Sequence, residues 1–454
     1  MLTKCPVCGS EDLFKDDKIH SNSVIVICKH CGFTCHDYDE SKEAEMLAYY
    51  KDEHRKAVAG KQKPDYRNIL TTNYKKATIG KFLAEYLKDK KGLIIGDVGA
   101  ATGYLVHWFR TLGHRATGSE YALDYRRMSE HYYGVPLTEE LDAKHKYDLI
   151  TIYHVLEHMM RPDLKLKKYG AMLADGGHLL VSVPEYFSRL YEGVGTNVII
   201  PGATAQAEFD SYYDKNHTNI VSATSIKNLI MMAGFSIVKE DYEGCGMTFL
   251  CRKEALADIY NPVLEDWQAI YAKIKAVKQA LAFAKADNYK KAIDTYPEFP
   301  EAHIHMLMRV YQKDPVHQQD YMAEIEKTCP ATTSGAMYLT TKGMWMYQTQ
   351  RYPEALEIFE RSANLRPNPD VFMFIAWCLL ELGRHKEAIS ILNYAIMLSP
   401  AKWQEAVNFQ LHAACSIPTW DERALIEMNA ALAEKNKAAV AALSPKDPVM
   451  DGVV

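Results

Sequence analysis

Two Cys-x-x-Cys-Gly turns near the N-terminus are the most specific chemical pattern in the sequence. The first contains Cys5 and Cys8, and the second contains Cys28 and Cys31. Two such turns separated by about 15–20 residues can direct four thiolates at one ion, which predicts a tetrahedral structural zinc site. The metal would supply stability that a segment of roughly 40 residues lacks by itself. A redox-active pair, or ligation by the neighbouring Cys35 or His36, remains as an alternative.

A second pattern, which could bind a ligand, is a glycine-rich turn after a buried strand. The residues run Leu93-Ile-Ile-Gly-Asp97-Val-Gly99-Ala-Ala101-Thr-Gly103. Glycine lets the backbone approach a ligand closely, and a helix that begins after the turn offers N–H groups with partial positive charge. The next strand ends at Glu120, seventeen residues after Gly103. Because a carboxylate at that place can accept both hydroxyls of a ribose, the two features together predict a nucleotide-like ligand.

A third pattern, His154-Val-Leu-Glu157-His158, follows the strand that begins at Tyr147. The spacing H-x-x-E-H also occurs in a class of zinc proteases, but there a long helix carries both histidines, whereas here a strand runs almost directly into His154. Histidine titrates near neutrality, so His154, His158 and His217 are the candidate catalytic bases, with His217 first. The alternative is that these residues only orient the loop.

The elements that must position these side chains follow from the hydrophobic pattern. Short β-rich runs alternate with helical stretches, which predicts an α/β fold with a parallel sheet and crossover helices. The runs are Leu93–Asp97, His114–Glu120, Tyr147–Tyr153, His178–Pro184, Phe235–Tyr242 and Met247–Arg252. The predicted domains before and around them are a zinc ribbon over residues 1–40, a helical linker over 41–75 and the α/β domain over 76–253.

Beyond residue 253 the strand signals vanish and a repeat appears. Tyr352-Pro-Glu-Ala is followed 33 positions later by His385-Lys-Glu-Ala, and Pro367 and Pro400 keep the same offset. A period near 34 is typical of tetratricopeptide-like helical repeats, whose helix pairs stack into a solenoid. We therefore expect an all-α repeat domain over 254–440 that binds a protein partner, and a flexible tail over 441–454. A generic helical bundle is the alternative.

Residues 1–253 resemble the class I S-adenosylmethionine-dependent methyltransferases with an N-terminal zinc ribbon. Asp97, Gly99 and Gly103 match their first motif, and Ala101 stands in place of its middle glycine. The resemblance implies a Rossmann-like sheet of seven strands that binds S-adenosylmethionine. It also implies that Glu120 holds the ribose and that Asp97 lies near the methionine amine. The remaining residues implied at the donor site are Tyr121 beside the adenine, Asp142 (or Glu139 or Glu140) at its amino group, and His154.

The same resemblance extends to methyltransferases associated with sugar and surface-glycan modification. Sugar C-methyltransferases of that group carry Tyr-His-Glu-His where this chain has Asp214-Lys-Asn-His217, so only the last histidine is kept. We therefore expect O- or N-methylation of a sugar or other small polar acceptor, with Tyr213 and Glu185 lining its pocket. The alternatives are a protein or nucleic acid gripped by the ribbon and repeats, and a non-enzymatic assembly protein built on this fold.

The bulk composition restricts the partners. The chain has 454 residues with 48% hydrophobic and 24% charged residues, and a formal net charge of -5, which gives no general attraction to nucleic acids. The N-terminal MLTKCPVCGS lacks the apolar core of a signal peptide, and the longest apolar run, Val371–Leu380, is too short to cross a bilayer. We expect a soluble cytoplasmic protein without a membrane partner.

Overall fold

The structure, a computed structural model, describes nine stretches of the chain. These are residues 1–52, 79–80, 82–184, 217–242, 246–254, 262–310, 314–329, 335–365 and 369–398. Contacts between Cα atoms divide the chain into two compact units. The first comprises Met1–His54, Phe82–Arg309 and Ile325–Thr332, and the second comprises Arg55–Lys81, Val310–Glu324 and Thr333–Val454. Glu185, Tyr213 and the predicted tail lie outside the described residues.

All the strands of the described residues belong to the first unit. They are β1 (Leu13–Asp16), β2 (Ile25–Cys28), β3 (Thr34–His36), β4 (Ile94–Val98), β5 (Arg115–Ser119), β6 (Tyr147–Tyr153), β7 (Leu173–Pro184), β8 (Asn219–Ile220), β9 (Phe235–Asp241) and β10 (Gly246–Lys253).

The larger sheet has the order β5-β4-β6-β7-β10-β9. The neighbours from β5 to β7 pair parallel, and β10 pairs antiparallel with both β7 and β9. Leu149, Ile150 and Ile152 of the central β6 are fully buried, as expected for a strand covered on both faces. This is a mixed α/β sheet of the expected class, and the ends of β4 and β6 lie side by side at one edge.

The expected seventh strand is not confirmed, since the described residues of this sheet form six strands. Outside β5 the described part of the chain adds one parallel bridge, between Ser119 and Thr138. Backbone hydrogen bonds of 3.1 Å from the Thr138 N–H to the Gly118 carbonyl, and of 2.8 Å from the Glu120 N–H to the Thr138 carbonyl, flank it. Pro136, two residues before Thr138, has no N–H to contribute to a longer ladder at this place.

The first unit also contains helices that connect or cover the strands. They are α1 (Glu43–Asp52), α2 (Tyr104–Thr111), α3 (Leu123–Tyr133), α4 (Pro162–Met172), α5 (Ala223–Met232), α6 (Trp267–Lys285), α7 (Tyr289–Thr295) and α8 (Pro300–His305). In α2 the buried residues are Leu105, Val106 and Phe109, which form one apolar face. That face fixes the helix that follows the glycine-rich turn.

The N-terminal segment forms a second sheet that includes a strand from far along the chain. Its order is β1-β2-β3-β8, and β8 pairs with β3 through Thr34 opposite Ile220 and Cys35 opposite Asn219. The His36 N–H also donates to the Thr218 carbonyl at 2.9 Å. The cysteine-rich segment is therefore joined through the backbone to the residues directly after His217.

Strand β2 is buried on both faces because its alternate side chains meet different partners. Val26 and Cys28 belong to the apolar cluster that includes the core of the large sheet. Ile25 and Ile27 belong to another cluster, together with Ile274 and other residues of α6. The period-2 alternation of a strand thus places this segment between the large domain and a helix from beyond residue 253.

The second unit contains successive helices of similar length. The described ones are α10 (Ala336–Gln348), α11 (Tyr352–Leu365), α12 (Pro369–Glu381) and α13 (His385–Leu398), while α9 (Pro315–Thr328) crosses the boundary between the units. Gly343 of α10 lies so close to Phe359 of α11 that a Cβ would be 2.7 Å from the ring. A small residue at a helix contact fits the predicted repeats, which stay a prediction. Among the described helices, none combines the length and apolarity required to cross a bilayer.

Candidate active site and cysteine cluster

The glycine-rich turn at the end of β4 adopts left-handed backbone conformations. Gly99, Ala101 and Gly103 have φ angles of 66°, 49° and 75°. For Ala101 this conformation costs about 1–2 kcal/mol, so the alanine is held in a shape that glycine takes freely. A Cβ on Gly99 would lie 2.3 Å from Cγ2 of Val155, which means that the turn packs directly against the H-x-x-E-H segment.

Gly103 has a different reason to be glycine. A Cβ there would lie 1.9 Å from Oγ of Ser129 on α3. Ser129 is itself buried, and its hydroxyl donates to the Val135 carbonyl at 2.7 Å. The third glycine of the motif therefore permits close helix packing behind the turn.

Glu120 lies across the turn from Ala101. One carboxylate oxygen accepts the Ala101 N–H at 2.9 Å, and the other accepts the Ala122 N–H at 2.9 Å. A carboxylate oxygen can accept more than one hydrogen bond, so these contacts orient the group without using up its acceptors. A carboxylate fixed at the end of β5 beside a glycine turn fits the needs of a ribose diol.

Asp97 lies deeper than the sequence suggested. Its side chain is fully buried, and Oδ1 accepts a hydrogen bond of 2.6 Å from the Thr151 hydroxyl of β6. The carboxylate thus joins β4 to β6 beneath the turn. Its place near a methionine amine stays a proposal.

Tyr121 contacts one of the acidic residues considered for the adenine. Its hydroxyl donates to Glu140 at 3.2 Å, and Glu140 also pairs with Lys168 at 2.8 Å. The hydrogen bond from Lys168 holds the pKa of the Glu140 carboxyl below its usual value. Burial raises the pKa of the tyrosine, which therefore stays a neutral donor.

The other acidic candidates make contacts of their own. Asp142 is exposed, and its carboxylate accepts the Lys144 N–H at 2.9 Å and lies 3.2 Å from Nδ1 of His145. Glu139 pairs with Lys51 at 2.7 Å. Within the described residues, Glu140 is the one of the three that meets Tyr121.

The H-x-x-E-H segment forms a compact turn after β6. His154 has a φ of 52°, an uncommon conformation for a non-glycine residue, and its N–H donates to the Ser182 carbonyl at 2.8 Å. Glu157 is 1% exposed, with Oε1 3.7 Å from Nδ1 of His154 and 3.9 Å from Nε2 of His158. Burial raises the pKa of Glu157 to about 8. The sequence pattern contained Glu157, but its place at the centre of the histidines appears only in the structure.

His217 joins this group from another part of the chain. Its ring centroid lies 4.6 Å from that of His158. The buried Asn219 keeps this segment next to the turn, since its side-chain amide donates to the carbonyls of Leu156 at 3.0 Å and Met159 at 2.8 Å. All three predicted catalytic histidines therefore surround Glu157 at the edge where β4 and β6 end.

The four predicted zinc ligands also lie together. The Sγ atoms of Cys5 and Cys31 are 3.6 Å apart, those of Cys8 and Cys28 are 3.5 Å apart, and all four lie within 4.8 Å of one another. A tetrahedral ion with Zn–S bonds of about 2.3 Å needs sulfurs roughly 3.8 Å apart, so the cluster fits zinc. Cys35 is fully buried in the β3 ladder, outside this cluster.

Comparison with known proteins assigns a domain to this region. Residues 71–240 match the family model described as a methyltransferase domain. Among curated proteins, none matches this chain at a significant level.

Solved structures similar to this chain include three methyltransferases. A 1,6-didemethyltoxoflavin-N1-methyltransferase from Burkholderia thailandensis is 15% identical, with 53% of this chain and 99% of that chain covered and a TM-score of 0.35. Magnesium protoporphyrin IX methyltransferase from Synechocystis is 12% identical, with 48% and 100% covered and a TM-score of 0.33. An S-adenosylmethionine-dependent methyltransferase from Mesorhizobium loti is 15% identical, with 38% and 96% covered and a TM-score of 0.31.

The contact of Gly99 with Val155 yields a test with a matched control. Gly99→Ala and Gly134→Ala both place a side chain at positive φ, which costs about 1–2 kcal/mol of stability, but only at Gly99 does the Cβ meet another atom within 4 Å. We expect calorimetry to show loss of S-adenosylhomocysteine binding in Gly99→Ala alone. Equal affinity in the two variants would contradict a ligand-binding role for the turn.

Proposed function

We propose that this chain, a methyltransferase that uses S-adenosylmethionine, methylates a hydroxyl or amine of a sugar or other small polar acceptor. The main support for the proposal is that two groups of residues lie close together where the parallel strands end. The glycine-rich turn with Glu120 lies at the ends of β4 and β5, and the histidines around Glu157 lie next to it, in contact through Gly99 and Val155. Ligands of open α/β sheets bind at such edges.

The donor side is assigned to the turn and its acidic neighbours. Glu120 would hold the ribose, Asp97 would act on the methionine amine through its fixed carboxylate, and Tyr121 with Glu140 or Asp142 would receive the adenine. His154 would line the donor side from the end of β6. When bound, S-adenosylmethionine supplies a methyl group whose C–S bond breaks as the bond to the acceptor forms, and the sulfur keeps the electron pair.

The acceptor side is assigned to the histidines. Aligning the acceptor with the methyl group can provide up to about 7–11 kcal/mol of the rate enhancement in ideal cases. A hydroxyl or ammonium must also lose a proton, and a histidine that takes it contributes roughly 10²–10⁴-fold. His217 is the first candidate for that base, with His154 and His158 beside it.

The cysteine cluster is proposed to hold a structural zinc ion that supports the acceptor side. The ion would be held by Cys5, Cys8, Cys28 and Cys31. Strand β3 begins three residues after Cys31 and pairs with β8, which begins two residues after His217. Zinc would thereby stabilise the segment that presents the histidine. The helices beyond residue 335 are proposed to be tetratricopeptide-like repeats that bind a protein partner.

The donor site is tested by replacing Glu120. Loss of hydrogen bonds to a charged group costs about 1.5–3 kcal/mol, so Glu120→Ala should bind S-adenosylhomocysteine about 10- to 100-fold more weakly in calorimetry. The control is Glu130→Ala on the exposed face of α3. If Glu120→Ala kept the affinity of the control, the ribose assignment would be wrong.

The acceptor class is tested with labelled methyl donor. We expect label to enter members of a panel of hydroxy- and amino-sugars, and His217→Ala to lower the rate by about 10²-fold or more. The same reactions would include a cell-derived protein and RNA mixture. Transfer to that mixture alone would replace the small acceptor with a macromolecule.

The zinc assignment is tested by metal content. Cys5→Ser should lower the zinc bound per chain by one ion, because a four-sulfur site loses a ligand, and methyl transfer should fall with it. Cys35→Ala is the matched control, since Cys35 lies on β3 outside the cluster. Unchanged zinc in Cys5→Ser, or lost zinc in Cys35→Ala, would contradict the ligand set.

A further inference from the structure

We propose that Glu157, His158 and His217 bind a divalent transition-metal cation, at a site separate from the cysteine cluster. One ligand atom from each of the three residues lies within 4.8 Å of the others. A cation about 2.0–2.2 Å from each atom needs ligands roughly 3–4.4 Å apart, so only small side-chain movements are required.

The carboxyl of Glu157 independently indicates a missing partner. The residue is 1% exposed, and within the described part of the chain Oε2 has no hydrogen-bond partner. A buried carboxylate is costly unless it is paired, hydrogen-bonded or coordinated to a metal. A cation between this group and the imidazoles would remove that cost.

The donor set favours a particular kind of ion. Two imidazoles and one carboxylate are typical of zinc and of the iron and manganese group of metals, and they leave coordination positions open. The side chains of His158 and the neighbouring His154 are 23% and 29% exposed, so the cluster is partly accessible to solvent. A fully cysteine-ligated ion has no such position, and the two sites therefore differ in both chemistry and access.

Hydrogen bonds between the turn after β6 and the segment after His217 hold the backbone around the ligands in place. Glu157 and His158 lie in the 3₁₀ turn Leu156–His158, and Thr218 donates to the His158 carbonyl at 3.3 Å. With the two amide hydrogen bonds of Asn219, the turn and the segment after His217 are joined at three points. Ligands held this firmly bind a metal with little reorganisation.

The role of the ion in catalysis rests on the proposed methyl transfer, whereas the binding of the ion to these three residues does not. A cation with an open position can bind an acceptor hydroxyl and lower its pKa. The acceptor oxygen then forms the C–O bond while the C–S bond breaks and the sulfur keeps the electron pair, and the proton of the acceptor is released to solvent. With the ion bound, His217 acts as a ligand; without the ion it remains the first candidate for the base, so His217→Ala lowers the rate in either case.

The test uses Mn²⁺ as the probe on the full-length protein loaded with one zinc ion per chain, which the four thiolates take up in preference and which leaves the second site open. Mn²⁺ prefers carboxylate and imidazole ligands over thiolates, so the cysteine cluster should not take it up. Electron paramagnetic resonance should detect one bound Mn²⁺ per chain. Glu157→Gln and His158→Gln should each weaken binding by about 100-fold or more, since loss of an outer-shell contact alone costs 10–100-fold. The control, His131→Ala, removes an exposed histidine of α3 and should bind as the wild type does.

Binding of S-adenosylhomocysteine by the same variants shows whether each remains folded and whether the donor site is intact. Intact donor binding with lost Mn²⁺ supports the metal site. No Mn²⁺ on the wild type, or equal Mn²⁺ affinity in wild type and Glu157→Gln, would overturn it. If the wild type did not bind S-adenosylhomocysteine, that result would instead count against the proposed function.

Discussion

The antiparallel pairing of β3 with the two-residue strand β8 connects the chemical groups of this protein. On one side of the pair, β3 follows directly after the cysteine cluster. On the other, β8 follows His217, and its Asn219 donates to two carbonyls of the H-x-x-E-H turn. Each buried hydrogen bond contributes only about 1 kcal/mol, but breaking one leaves a buried group unsatisfied. The geometry of the histidines therefore depends on the N-terminal segment.

A second constraint joins the proposed donor and acceptor sides. A Cβ on Gly99 would lie 2.3 Å from Cγ2 of Val155, so the glycine-rich turn packs closely against the turn after β6. Both regions also contain a non-glycine residue in a left-handed conformation, Ala101 and His154. Such strain is maintained only where the surroundings impose it, and it occurs preferentially at ligand sites. The two strained residues lie at the ends of neighbouring strands, where the ligand is expected.

The N-terminal segment is stabilised from two directions. One face of β2 contributes to the core of the large domain and the other packs against α6. A segment of this size cannot bury enough surface alone, so these contacts and the proposed zinc ion supplement each other. It also follows that α6 is structurally part of the first unit, although the strand pattern ends before it. Removing the chain from residue 254 onward would expose Ile25 and Ile27.

The sequence alone determined the local features. The six predicted runs coincide with β4, β5, β6, β7, β9 and β10 within about two residues, except at the start of β7. That strand begins at Leu173, because the Asp175-Gly-Gly segment, whose residues are typical of turns, is accommodated within it. The cysteine spacing and the glycine-rich turn could also be identified from the sequence, since each pattern involves residues only a few positions apart. The seventh strand is not confirmed, since beyond β5 the described residues contribute one parallel bridge, between Ser119 and Thr138.

Only the tertiary structure decided which distant groups meet. The approach of His217 to His158, the burial of Asp97 against Thr151 and the packing of α6 on β2 depend on long-range contacts. A local pattern shows that a strand such as β2 is apolar, but not what covers each of its faces. The chemistry of the individual residues was thus visible in the sequence, whereas the central place of Glu157 among three histidines required the fold.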